Sequence, residues 1–313
     1  MRKLFSLMLV VLGAAALVSC SKDDDDDVLR EGEGVITFVT KAKSFTSEND
    51  CLYLETFNEG EKITVDWGDG WGEEEYVSVK NEYKDEDGEI EVYYEINAQH
   101  TYTDGKSSHT VTVRGKIEYF SVSHCKVTSI DATKCPALEE LRCGGNQLTS
   151  LDVSGCTALK VLDCFDNKLA SLDVSGCTAL KELHCYDNQL TSLDVSECTA
   201  LKELWCYQNQ LTSLDVSKNT ALEWLNCYDN QLTSLNVSGC TALEYLNCWN
   251  NQLTSLDASG CTALELLYCG DNQFSASAMN KIYNDLPVVE YGYLSCDKLG
   301  DYSIAERKGW EIN

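Results

Sequence analysis

From residue 138 to 274 the apolar positions return every 21 residues. One unit reads Leu180-Lys181-Glu182-Leu183-His184-Cys185-Tyr186-Asp187-Asn188-Gln189-Leu190-Thr191-Ser192-Leu193-Asp194-Val195-Ser196. Apolar and polar residues alternate through Leu183-His184-Cys185, the period of a short strand that buries one face and shows the other. Units start at Leu138, Leu159, Leu180, Leu201, Leu222, Leu243 and Leu264, and a weaker one precedes them, with Ile117, Phe120, Val122, Cys125, Val127 and Ile130 in the same slots. A coil of this length cannot bury its own apolar side, so the coils must stack into a solenoid with a continuous core. Their strands then run side by side in a parallel sheet, about 4.8 Å apart. Asn146, Asn167, Asn188, Asn209, Asn230, Asn251 and Asn272 recur at the turn leaving each strand. An amide there carries donors and acceptors enough to satisfy backbone groups of neighbouring coils.

On either side the pattern changes. Residues 34–115 hold β-branched and aromatic runs separated by turn clusters such as Gly68-Asp69-Gly70 and Asp104-Gly105. Strands are predicted over Val35–Thr40, Leu52–Leu54, Ile63–Trp67 and Thr110–Val113. Asp66 and Asp69, with Glu73, Glu74 and Glu75, lack the regular oxygen spacing of a calcium loop; a tight turn and a solvated acidic face are expected. Past the last repeat, Phe274 takes a Leu slot, a helix is predicted from Ala278 to Leu286 and stops at Pro287. A strand over Val288–Leu294 and a short helix and turn over Ile304–Trp310 should follow. Both flanking segments are expected to cap the apolar ends of the solenoid.

The unit L-x-x-L-x-C-x-x-N-x-L-x-x-L-D closely resembles the leucine-rich repeat, with Cys in place of the middle Leu. That resemblance implies a repeat solenoid with a parallel β-sheet on its concave face. Val65-Asp66-Trp67-Gly68-Asp69-Gly70, with His100-Thr101-Tyr102 and Thr110–Val113, resembles the PKD domain, an all-β Ig-like sandwich of surface proteins. At the N-terminus Arg2 and Lys3 precede an apolar run, Leu4–Leu17, too short to span a bilayer comfortably. It ends in Leu17-Val18-Ser19-Cys20, which resembles the lipobox of bacterial lipoproteins. Ser21-Lys22 and the run Asp23–Asp27 resemble the export tag of Bacteroidetes-type surface lipoproteins. These resemblances imply acylation of Cys20 and a lipid-anchored, surface-exposed place at the outer membrane. The expected division is a signal peptide over 1–19, an acidic tether over 20–33, a PKD-like sandwich over 34–115, about eight repeats over 116–274 and a cap over 275–313.

Composition narrows the function. Of 313 residues, 51 are Asp or Glu and 24 Lys or Arg, a formal charge of −27 that leaves no basic face for nucleic acid. The 17 cysteines are too many for chance, and a disulfide scaffold belongs to short chains. Most fall into two rows of the repeat: Cys143, Cys164, Cys185, Cys206, Cys227, Cys248 and Cys269 in the strand, and Cys135, Cys156, Cys177, Cys198, Cys240 and Cys261 in the return loop, where Asn219 interrupts the series. A thiol is a small hydrophobe that fits a tight coil, so reduced, buried cysteines are expected.

The outward strand positions carry the candidate chemistry. Directly after each strand cysteine stand Phe165, Tyr186, Tyr207, Tyr228 and Trp249, and before it Trp205 and Tyr268. Trp224 and Tyr245 lie one outward position earlier, and Asp166, Asp187, Asp229 and Asn250 adjoin the aromatic row. Inherited ring-on-ring packing is one reading of such a row. A ligand surface is the other, since contiguous exposed aromatics mark binding faces and anchor hot spots. The resemblance to internalin-like surface proteins favours a protein or peptide ligand, with a glycan stacked on the rings as the alternative. Only four histidines occur, His184 alone on the strand face; no nucleophilic triad, phosphate loop or metal motif is evident, so no enzyme, cofactor or metal site is expected.

Overall fold

The computed structural model describes residues 33–46, 52–84 and 89–313. The lipobox with Cys20, the acidic run and Cys51 lie outside them. Among the described residues no helix is long and apolar enough to cross a membrane.

The 21-residue period forms a solenoid of stacked coils with a parallel sheet along one face. Three-residue strands at Glu140–Arg142, Val161–Asp163, Glu182–His184, Glu203–Trp205, Trp224–Asn226, Tyr245–Asn247 and Leu266–Tyr268 pair in parallel, and equivalent positions face each other at every step. Leu183 lies opposite Leu162 and Leu204, and all three are fully buried. The weak first unit is a true coil: Ile117, Phe120, Val122, Cys125 and Val127 are buried, and Tyr119–Ser121 pairs in parallel with Glu140–Arg142.

The asparagine ladder is saturated. Asn209 Nδ2 donates to the carbonyls of Cys185, Cys206 and Tyr207 at 3.0–3.2 Å, while its Oδ1 accepts the Leu190 N–H at 2.9 Å. One side chain thus closes its own turn and ties it to the coil before. The return-loop aspartates are structural as well. Oδ1 of Asp152, Asp173, Asp194 and Asp215 accepts the N–H of the serine two residues on, at 2.9–3.0 Å.

All thirteen repeat cysteines are buried, and the described residues contain no disulfide. In the return-loop row the thiol points at a carbonyl of the preceding coil, as Cys156 Sγ does to Ala132 O at 3.3 Å and Cys240 Sγ to Val216 O at 3.2 Å. Burial pushes the Cys135 and Cys185 thiols up to about 12, so the ladder stays protonated and unreactive. Asn219 imitates the missing cysteine. It is fully buried, and its Nδ2 donates to Val195 O at 3.0 Å and Cys198 O at 2.8 Å.

The N-terminal segment is built from antiparallel strands, and it is welded to the solenoid rather than set beside it. Tyr119–Ser121 of the first coil pairs antiparallel with Tyr53–Thr56, and the return strand Val127–Lys134 pairs antiparallel with Gly34–Thr40. Hydrogen bonds therefore cross the boundary expected at 115/116 in two sheets. Each of these two strands of the first coil needs a partner on its open edge, and Tyr53–Thr56 and Gly34–Thr40 supply one apiece. Phe38 packs edge-on against Phe120 of the first coil at 5.8 Å, so the two cores are one. Three strands of five residues or more in this segment were not legible in the sequence: Glu73–Val77, Val79–Lys84 and Ile90–Ile96. Glu73, Glu74 and Glu75, expected as a solvated face only, form an edge strand against Lys62–Asp66, with Lys62 paired to Glu75 at 2.7 Å. Asp66 and Asp69 act as turn residues, accepting the N–H of Gly68 and Trp71.

At the other end the helix Ala276–Asp285 is capped by Ser275 Oγ and buries Met279, Ile282 and Tyr283. The following strand is shorter than expected, Gly292–Ser295, and Val288 and Tyr291 before it are largely exposed. The last helix covers only Ser303–Glu306, and Trp310, expected in a helix or turn, opens the strand Trp310–Ile312. Both strands extend the parallel ladder, so the cap continues the sheet before closing it.

Candidate functional site

A parallel, in-register sheet sets same-slot side chains of adjacent coils about 4.8 Å apart, which is also the spacing of stacked aromatic rings. The aromatic row obeys this. Phe165 and Tyr186 stack at 4.9 Å, Tyr186 and Tyr207 at 4.3 Å, and Tyr207 and Tyr228 at 4.6 Å, with planes within 12° of parallel. A second file runs Trp224, Tyr245, Tyr268: the first two stack at 5.2 Å, and Tyr268 is tilted at 5.7 Å from Tyr245. Trp205 links to the first file, 6.1 Å from Tyr186, and stacks on His184 at 4.5 Å. The sheet therefore brings every aromatic of the predicted set onto one face.

The rings differ in what they offer. Within the first file each inner ring spends both faces on its neighbours and is half-buried. Trp224 and Trp249 are 40% and 39% exposed. Trp249 flanks an open depression of about 400 Å³, shared with Tyr228, Asn247, Tyr268 and Ser295. Burial raises the phenols of Tyr186, Tyr228 and Tyr245, keeping them neutral hydroxyls at physiological pH.

The polar residues beside the aromatic row have a backbone reason to be there. Asp166, Asp187, Gln208, Asp229, Asn250 and Asp271 all adopt left-handed backbone, with φ between 46° and 53°. Asn and Asp tolerate that region better than most residues. They also carry chemistry. The Asp187 carboxyl is pushed up by burial and by Asp166, and Asn250 Nδ2 donates to Asp229 Oδ1 at 2.6 Å.

Two contributors were missed in sequence. Tyr293 extends the second file, 5.5 Å from Tyr268, because the cap strand keeps the repeat register. His124, in the first coil, meets Phe165 edge-on at 5.8 Å. Register with the repeats was the only signal for either. Nearer the N-terminal end the same face changes character. Asp163 is buried, its carboxyl raised by desolvation, and Arg142 lies beside it and pairs with Glu140.

Comparison with known proteins agrees with this architecture. The family model described as leucine-rich repeats (two copies) matches residues 136–177, 157–195, 178–219, 220–258 and 241–281. A solved structure of the functional domain of InlJ from Listeria monocytogenes, described as including a cysteine ladder, is 39% identical with a TM-score of 0.50. The match covers 51% of this chain and 36% of that one, so the chain spans about a third of its length. Internalin C2 from Listeria monocytogenes is 21% identical over 58% of this chain and 81% of that one, TM-score 0.50, a likeness of fold. No curated protein matches. The repeats are leucine-rich repeats similar to those of internalins, and no enzyme family is indicated.

Proposed function

We propose that this chain is a cell-surface lipoprotein whose leucine-rich repeats bind a protein or peptide ligand across the aromatic strand face. The observation that carries the reading is the file Phe165–Tyr186–Tyr207–Tyr228, stacked at 4.3–4.9 Å. Its ring faces are turned to each other, so a ligand meets a rigid strip of ring edges and hydroxyls. Such a strip suits a polypeptide, which can lay apolar groups and amides along it at little entropic cost to the receptor. Asp187 and Asp229 beside it, in a chain of charge −27, favour a basic ligand and speed its approach. Leucine-rich repeats as a class serve such recognition.

A glycan reading is favoured by one place alone. A sugar stacks on an open ring face, and Trp249 offers one over the depression that Asn247 and Ser295 line. The anchor in this proposal is acylated Cys20, and the antiparallel module, read as PKD-like, carries the solenoid away from the outer membrane while sealing its first coil.

Three measurements test the reading. Metabolic lipid labelling should be lost in Cys20→Ser, and protease added to intact cells should digest the wild-type chain. Non-acylated protein should retain a polypeptide from a peptide or secretome display, and Tyr207→Ala with Trp249→Ala should lose it. Selective retention on a glycan array instead would replace the protein ligand with a carbohydrate.

A further inference from the structure

The strand face holds one group of side chains that the ligand reading does not use. Glu182 and His184 project from the same strand two residues apart, and Glu203 lies across from Glu182 on the next strand. One oxygen of each glutamate and one ring nitrogen of His184 all lie within 4.8 Å of one another. His184 Nε2 is 3.5 Å from Glu203 Oε1 and is buried without a hydrogen-bond partner. The imidazole is held in place by stacking on Trp205 at 4.5 Å.

The geometry points to a divalent transition-metal site formed by Glu182, His184 and Glu203, with zinc as the cation that fits the donors. Ligands at about 2.1 Å from a tetrahedral zinc stand roughly 3.4 Å apart. The His184–Glu203 separation already has that value, so only Glu182 has to close in. One imidazole and two carboxylates are a borderline donor set that suits zinc better than magnesium or calcium, which take oxygen alone. The surroundings favour a cation. Asp163 lies directly across from His184 on the preceding strand, with its Oδ1 buried and unpartnered. Among the described residues, no lysine or arginine pairs with Glu182 or Glu203. Arg142 lies 3.9 Å from Asp163 and offsets that carboxylate, which leaves two glutamates against one imidazole, a charge imbalance that a divalent ion offsets. Three protein ligands leave the fourth position open toward the binding face.

The test uses the full chain stripped with chelator, titrated calorimetrically with zinc chloride, beside His184→Ala and Glu203→Gln. The wild type should show a saturable site whose affinity falls at least about tenfold in each variant. The His184 imidazole resonances should shift on zinc addition, and zinc should raise the thermal midpoint of the wild type but not of Glu203→Gln. Glu203→Gln preserves the His184–Trp205 stack, so it keeps the test decisive if His184→Ala unfolds. Absence of saturable zinc binding, or equal affinity in the wild type and Glu203→Gln, overturns the site.

Discussion

Asn209 holds two coils together: its Oδ1 accepts the Leu190 N–H at 2.9 Å while its Nδ2 reaches Cys185 O at 3.0 Å, both in the coil before its own. An alanine here strands a buried donor and buried acceptors at once. Asn209→Ala should destabilise the protein by about 1–3 kcal/mol, the cost of leaving buried backbone groups unmade. Urea unfolding followed by circular dichroism measures it, and an unchanged midpoint refutes the ladder's role.

Asn219 makes the opposite prediction. It stands in a cysteine slot with its Oδ1 buried and unpartnered. Asn219→Cys should restore the thiol-to-carbonyl contact seen for Cys240 and remove the orphaned oxygen. A gain of about 1 kcal/mol is expected in the same unfolding assay. A loss would mean that its two amide donations outweigh the orphan.

Packing and recognition separate between two aromatic residues. Tyr207 is stacked on both sides, at 4.3 Å and 4.6 Å, so Tyr207→Ala should cost about 1–3 kcal/mol through two lost ring contacts. Trp249, 39% exposed, should cost less than about 1 kcal/mol as Trp249→Ala but weaken ligand capture. Differential scanning calorimetry and ligand titration on both variants read the two effects independently.

Acid sensitivity follows from the return-loop aspartates. Asp194 is held below the usual carboxylate range by its hydrogen bonds to Ser196. A carboxyl whose folded pKa is depressed stabilises the fold above its unfolded pKa of about 3.9, and that contribution is lost as pH falls through the folded value. Asp194→Asn keeps the acceptor but cannot titrate, as Asn236 does naturally in its own coil with Ser238. Its thermal midpoint should lie slightly below the wild type at pH 7 and converge with it below about pH 3.9. A gap that does not shrink at all as pH falls below about 3.9 would show that charge is not the cause.

The repeats were legible because each coil obeys the same local rule. Leu183, Cys185, Asn188 and Asp194 each answer to a neighbour one period away, so the 21-residue spacing displays every structural constraint in the linear chain. The N-terminal segment was read less well. Glu73–Val77 and Val79–Lys84 are rich in residues with low β-propensity and are strands because partners across the sheet recruit them. The cap strand Trp310–Ile312 differs: Trp310 and Ile312 favour strands, but so short a run is fixed as one only by its partner Gly292–Leu294.

The sequence by itself determined the solenoid, its thiol and asparagine ladders and the aromatic content of its outer strand face, because these repeat. Tertiary structure decided which ring faces remain open, since stacking consumes those of Tyr186 and Tyr207 and leaves Trp224 and Trp249 to solvent. It alone placed Glu203 beside His184 and joined the first coil to Tyr53–Thr56. The physical reason is shared: in-register stacking turns 21 residues of chain into about 4.8 Å of space. Side chains from neighbouring coils become adjacent by that step, and only the folded register says which atoms meet.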